Sequence, residues 1–228
     1  MKAMILAAGL GKRMHPLTLT TPKPLLLAGG KPLIVYHLER LPRLGISEAV
    51  INIAYLGEQI KKALGNGRQW GLTIHYSEES EPLETAGAIL NALPLLGDEP
   101  FILINADVWT NYDLSTLVDH ELSPCQGHLV LTTNPEHNTK GDFCIVDGKL
   151  SEKITDQPSY TFTGISKLSP SLITTYPKKR TVFPLAEVFY YAIERQLLSA
   201  EVTGSYWRDI GTPERLQHLD KWLAASCS

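Results

Sequence analysis

The chain has 228 residues, 43% hydrophobic and 20% charged, ordinary globular values that supply enough apolar area for a sizeable core and exclude disorder as the main state. Lys plus Arg number 21 against 24 Asp plus Glu, a net charge of -3, so there is no broad basic face for a nucleic-acid backbone and an anionic ligand must be held locally. No apolar stretch reaches the roughly 18 residues of a membrane-spanning helix, Lys12-Arg13 spoil the only signal-like start, and the expectation is a soluble cytoplasmic protein with Cys125, Cys144 and Cys227 as reduced thiols.

Apolar runs of strand length alternate with longer segments of helical period, the pattern of βαβ units around a mainly parallel sheet. Ala3 to Ala8 reads as the first, buried strand. Pro32 suits a first helical position, and the apolar spacing then runs from Leu33 to Leu44 with Gly45 as its stop. A strand from Ala49 to Ala54, a short helix from Gly57 to Leu64, a strand from Leu72 to Ser77 and a helix from Thr85 to Leu93 follow. Phe101 to Asn105 is the clearest buried strand. After Leu114 to Glu121 the texture changes to shorter extended pieces at His128 to Thr133, Phe143 to Val146 and Tyr160 to Lys167, a second, mixed part of the sheet. Leu185 to Leu198 and Pro213 to Leu223 read as helices, the latter with Thr212 as N-cap.

The first strand runs into Ala7-Ala8-Gly9-Leu10-Gly11-Lys12-Arg13-Met14, where a parallel sheet presents its carboxyl ends to ligands. Glycines there let backbone N–H groups approach phosphate oxygens closely. Two phosphate motifs fail. A dinucleotide fingerprint needs a third glycine where Met14 stands and an acid about 20 positions on, and a Walker loop needs Ser or Thr after its lysine. Farther on, Pro22 and Pro24 restrict the backbone around Lys23, as aiming its ammonium requires.

Asp107 stands just beyond the strand ending at Asn105, and Asp209 precedes the last helix. Mg²⁺ takes one or two carboxylates and completes its shell with water and phosphate oxygens, so two acids on converging loops suffice. Read singly, Asp107 could cap a turn and Asp209 could pair with Arg208 or Arg215. The seven histidines are scattered without an HxxxH pair or a close His-Cys set, which argues against a zinc hydrolase.

Leu6-Ala7-Ala8-Gly9-x-Gly11-x-Arg13-Met14-x-Pro16-Leu17-Thr18, with Pro22-Lys23-Pro24-Leu25, resembles the signature of sugar-1-phosphate nucleotidyltransferases. The resemblance continues through Glu84-Thr85-Ala86-Gly87, Asn105-Ala106-Asp107, Gly141-Asp142-Phe143, Phe162-Thr163-Gly164-Ile165 and the run from Trp207 to Leu216, and so covers the chain to about Leu223. It implies one α/β domain over residues 1–228, a Rossmann-like mixed sheet sandwiched by helices without a C-terminal β-helix. Residues 1 to about 120 would bind nucleotide and 121–228 sugar.

The resemblance also implies roles. Arg13, Lys23 and Asp107 are the catalytic candidates. Ala8, Gly9, Gly11, Arg13, Lys23, Glu79, Leu83, Thr85, Gly87 and Asn105 would bind a nucleoside triphosphate; Asn105, Gly141, Asp142, Thr163 and Gly164 a sugar 1-phosphate; Asp107 and Asp209 a catalytic Mg²⁺. UTP is favoured by the resemblance of Asp107-Val108-Trp109-Thr110 and Gly141-Asp142-Phe143; a Glu79 carboxylate only accepts hydrogen bonds and suits the N3–H of uracil, although guanine also offers donors and a solvated acidic turn is the other reading of that segment. N-acetylmuramate α-1-phosphate is the favoured sugar. A cytidylyltransferase for choline phosphate, a guanylyltransferase for heptose phosphate and a catalytically silent nucleotide-sugar-binding regulatory subunit are the alternatives. No nucleic-acid or membrane partner is expected, and monomer and dimer both stay open. His15 departs from the arginine usual in the family and weakens one phosphate contact, and Lys153 reads as a surface lysine. Replacing Asp107 or Asp209 by Asn is expected to leave the ligand-free protein as stable or more so, through relief of mutual repulsion.

Overall fold

The computed structural model describes residues 1–226, so Cys227 lies outside the described residues. Its strands are β1 (Ala3–Leu6), β2 (Leu27–Ala28), β3 (Lys31–Pro32), β4 (Glu48–Ile53), β5 (Thr73–Glu78), β6 (Phe101–Asn105), β7 (Val108–Thr110), β8 (Gly127–Thr132), β9 (Phe143–Val146), β10 (Lys149–Glu152), β11 (Ser159–Leu168), β12 (Leu198–Thr203) and β13 (Trp207–Asp209). Its helices are α1 (Leu33–Leu38), α2 (Gly57–Leu64), α3 (Glu84–Leu96), α4 (Leu114–Asp119), α5 (Pro170–Thr174), α6 (Leu185–Glu194) and α7 (Pro213–Ser226).

The main sheet runs β10-β9-β11-β6-β1-β4-β5, with β8 on the far side of β11 and β12 beside β8. β6, β1, β4 and β5 are parallel, β11 is antiparallel to β6 and to β8, and β12 is parallel to β8. The ten-residue β11 joins the two halves of the chain, because Ile165–Leu168 pair with β6 and Ser159–Tyr160 pair with β9.

Period-two alternation sends side chains to opposite faces. Ala3, Ile5, Ala49 and Ile51 pack with Ile34, Leu38, Ile60 and Leu64 of α1 and α2, whereas Met4 and Val50 pack with Ile89, Ala92 and Phe189 of α3 and α6. Each fully buried Ile or Met side chain contributes about 1.5–3 kcal/mol of burial free energy, so the register of β1 is strongly specified. The expected α/β layering and mixed sheet are observed.

Several elements differ from the sequence reading, among them short pieces it did not name, β2, β3, β10 and α5. The helix after Pro32 stops at Leu38 rather than running to Leu44, because Pro42 has no N–H to continue the ladder and its ring crowds the preceding turn; Gly45, at φ 74°, still ends the segment. α6 ends at Glu194 rather than Leu198, Gln196 takes a positive φ of 54°, and the chain turns into β12, a strand the sequence reading did not name. β7 and β13 form a separate antiparallel ribbon in which Asp209 lies opposite Val108.

Candidate active site

The loops after β1 and β6, together with Asn52 of β4 and the segment after β5, surround a cleft of about 370 Å³ at the carboxyl ends of the parallel strands. That is where helix and strand ends leave backbone groups free for a ligand. The first loop is folded on itself. Gly11 takes φ 62°, its carbonyl accepts from Met14 N (2.8 Å) and Thr18 Oγ1 (2.8 Å), and a Cβ there would stand 2.9 Å from Thr18 Cγ2. Met14 is buried beneath the loop, while Arg13 is exposed and lines the cleft. One glycine and one buried methionine thus orient the cationic side of the loop.

Lys23 begins a short turn between Pro22 and Pro24, and its ammonium forms an ion pair with Asp107 Oδ2. Asp107 follows β6, and its carbonyl accepts from Ile210 N at 2.7 Å, which clips the segment after β13 to the loop after β6. The expectation that the two acids converge is met at the level of the backbone. Asp209 Oδ2 is held by Arg215 Nη1 from the first turn of α7. Its Oδ1 is buried and accepts no hydrogen bond, although His137 Nε2 lies 2.8 Å away. An unsatisfied buried carboxylate oxygen fits a ligand that supplies positive charge. Gly211 separates this pair from the cleft, which it lines, and a Cβ there would sit 3.0 Å from Asp209 Oδ2 and 3.1 Å from Arg215 Nη1. No group of three or more His, Cys, Asp or Glu suited to a metal exists among the described residues, so a metal here would depend on ligands supplied by substrate and water.

The base side is built on a buried polar chain. Ala7 N donates to Asn52 Oδ1 (2.8 Å), Asn52 Nδ2 to Glu79 Oε1 (2.7 Å), and Leu83 N to Glu79 Oε2 (3.1 Å). Glu79 therefore organises the loop that carries Glu84 and Thr85, and each of its oxygens retains a lone pair for a ligand donor. Asn52 was not among the sequence candidates, although an Asn inside the apolar run Ala-Val-Ile-Asn-Ile is the kind of residue that stays buried only when partnered.

Ala8, Gly9, Gly11, Arg13, Lys23, Glu79, Thr85, Asn105 and Asp107 are brought together in the cleft. Leu83 and Gly87 face a separate shallow groove beside Arg180 and Thr181. Gly141, Asp142 and Thr163 lie off the cleft wall. The Asp142 carboxylate accepts from Phe162 N (2.9 Å) and Asn138 Nδ2 (3.1 Å), Thr163 Oγ1 donates to Val130 O (2.7 Å), and a Cβ on Gly141 would meet Asn134 Oδ1 at 2.7 Å. Gly164, at φ 78°, backs Asn105, because a Cβ there would stand 2.6 Å from Asn105 Nδ2. Lys153 is exposed, as expected.

A nucleotidyl transferase family model matches residues 2–225. The chain is 43% identical over 99% of its length, and 99% of the other's, to the N-acetylmuramate alpha-1-phosphate uridylyltransferase of Neisseria meningitidis. It is 32% identical to the mannose-1-phosphate guanyltransferase of Candida albicans, with 94% of this chain aligned to 62% of that longer one. In structure it superposes, with a TM-score of 0.87 at 22% identity over 97% of this chain and 94% of the other, on a protein of Bacillus anthracis assigned as a glucose-1-phosphate thymidylyltransferase and solved with sucrose; this likeness concerns the fold.

Proposed function

We infer the function from one premise: the chain belongs to the nucleotidyl transferase family. It condenses a sugar 1-phosphate with a nucleoside triphosphate to give a nucleotide-sugar and pyrophosphate. The favoured pair is UTP and N-acetylmuramate α-1-phosphate, in the recycling of cell-wall sugar within the cytoplasm. The observation that carries this reading is the cleft itself, where Arg13, the glycine loop, the Lys23–Asp107 pair and Glu79 share one wall at the carboxyl edge of the sheet. The 43% identity to the Neisseria uridylyltransferase supports the substrates. Residues to about 120 hold the nucleotide, those after it the sugar, and Asn105 stands between them.

The attacking sugar-phosphate oxygen is already anionic, so no general base is needed, and the barrier lies in bringing two anions into line at the α-phosphorus. Arg13 and the amides of the Gly9 to Gly11 loop hold the leaving pyrophosphate, and Lys23 neutralises charge where the α-phosphate and sugar phosphate meet. Asp107 and Asp209 would hold Mg²⁺, which when bound supplies Lewis-acid neutralisation of phosphate charge. Glu79 accepts from the base edge, and Asn52 fixes its orientation.

A pyrophosphate-release matrix of the pyrimidine and purine triphosphates against N-acetylmuramate, N-acetylglucosamine, glucose, mannose and choline phosphates tests the substrate choice. The highest turnover is expected with UTP and N-acetylmuramate 1-phosphate. A clear preference for CTP with phosphocholine, or for GTP when a heptose phosphate is added to the set, overturns it.

A further inference from the structure

Beside the cleft, with His137 Nε2 2.8 Å from the other Asp209 oxygen, four charged side chains stand as two ion pairs, Lys23 on Asp107 and Arg215 on Asp209. Their side chains are 12%, 30%, 15% and 20% exposed, respectively, so the charges are weakly solvated, and formally they cancel. Both acids are the proposed metal ligands, and both cations come from outside the sheet, one from the turn between two prolines and one from the first turn of α7.

We propose that Lys23 and Arg215 are built-in counterions that occupy the metal ligands of the free enzyme, so that a divalent cation enters by displacing them and does so only in company with the triphosphate. This rests on the nucleotidyl-transfer reading. A divalent ion arriving alone would leave the cluster with uncompensated double positive charge in a partly desolvated place, where like charges a few ångströms apart repel strongly. A metal–triphosphate complex keeps net negative charge and offers phosphate oxygens to the displaced ammonium and guanidinium. Lys23 accordingly has two stations, the Asp107 carboxylate in the free enzyme and phosphate in the complex. Arg215 is a positioning residue: it keeps the Asp209 carboxylate in place before the metal arrives and gives it up afterwards. Gly211 leaves the gap through which the second exchange occurs, since any side chain there would press on Asp209 Oδ2 and Arg215 Nη1.

The signature is opposite in sign for Mn²⁺ binding without nucleotide and for the tightening that nucleotide brings. Mn²⁺ serves as the probe ion, with the unbound fraction read by electron paramagnetic resonance in the complete, nucleotide-free protein. Lys23→Met, Lys23→Gln and Arg215→Met are compared with the unmodified chain, each first checked for a cooperative thermal transition. Mn²⁺ affinity without nucleotide is expected to rise on the order of tenfold in the variants, because one competing charge has gone. The gain should vanish when Lys23→Met is combined with Asp107→Asn. Adding a non-hydrolysable UTP analogue should tighten Mn²⁺ at least tenfold in the unmodified protein and clearly less in Lys23→Met. Equal or weaker Mn²⁺ binding by the folded variants, or the same nucleotide effect in both, overturns the exchange. That result leaves nucleotidyl transfer intact, whereas absence of pyrophosphate release with every triphosphate overturns the reading beneath it.

Discussion

Lys23 is expected to matter far more to turnover than to folding, because its charge is needed most where three phosphates crowd together. Lys23→Ala should lower kcat on the order of a hundredfold or more at saturating substrates; unchanged turnover in a folded variant rejects the role. Asp209 takes Arg215, one of the two partners its sequence position allowed. Relief of repulsion on changing it to Asn presupposes a bare acid, but its carboxylate neutralises Arg215, a side chain only 15% exposed. Asp209→Asn should therefore cost the ligand-free protein about 1–2 kcal/mol in a urea titration, through loss of a charge-assisted hydrogen bond. It should also raise the Mg²⁺ concentration needed for half-maximal turnover. A destabilised variant with ordinary magnesium dependence would assign Asp209 to Arg215 alone.

Among the elements, α3 opens on a motif whose glycine packs against backbone outside the cleft. Gly87 is required by packing: a Cβ there would lie 2.3 Å from the Thr181 carbonyl oxygen, and Ala86 N and Gly87 N both donate to Phe183 O at 3.1 and 3.2 Å. Backbone cannot swing aside as a side chain can. Gly87→Ala should destabilise by about 1–3 kcal/mol and weaken nucleotide binding, because Glu84 and Thr85 ride on the same first turn; a melting temperature and nucleotide affinity both unchanged would refute this. α2 and β6 were legible to the residue, since a glycine stop or a five-residue apolar run between turn formers is local information. β12 was not, although Leu198, Ala200 and Val202 alternate with Ser199, Glu201 and Thr203, because its hydrogen-bond partners are in β8, some 70 positions earlier in the chain, and the apolar helical period of α6 runs straight up to it. The β7–β13 ribbon was hidden for the same reason, and it is what brings Asp107 and Asp209 together.

For the molecule as a whole, two buried histidines are expected to make stability fall in acid. His37 is lowered to about 4 chiefly by burial, with Arg40 nearby adding to it, and His128 is lowered to about 4 by burial, His120 and Lys167. Above the ordinary value of 6.5 neither state binds the proton; between 6.5 and 4 the unfolded chain binds it and the folded chain does not, so stability falls as pH falls. For His37 the loss approaches about 3 kcal/mol near pH 4. Denaturant titrations from pH 7.5 to 4.5 should show this decline, and His37→Gln should flatten it by about one proton; an unchanged slope would place the titration elsewhere.

The amino-acid sequence by itself determined the βα alternation, the glycine loop with Arg13 and Lys23 at the carboxyl end of the first strand, and the acid after Asn105. Each of these depends on hydrophobic period or on backbone freedom within a few residues. Tertiary structure alone decided that Asn52 ties the glycine loop to Glu79, that Leu83 and Gly87 turn away from the cleft, and that Lys23 and Arg215 hold the two acids. These are contacts between residues tens of positions apart, or across one helical turn whose direction the packing sets. A buried polar group takes whichever partner the sheet order brings within hydrogen-bond reach.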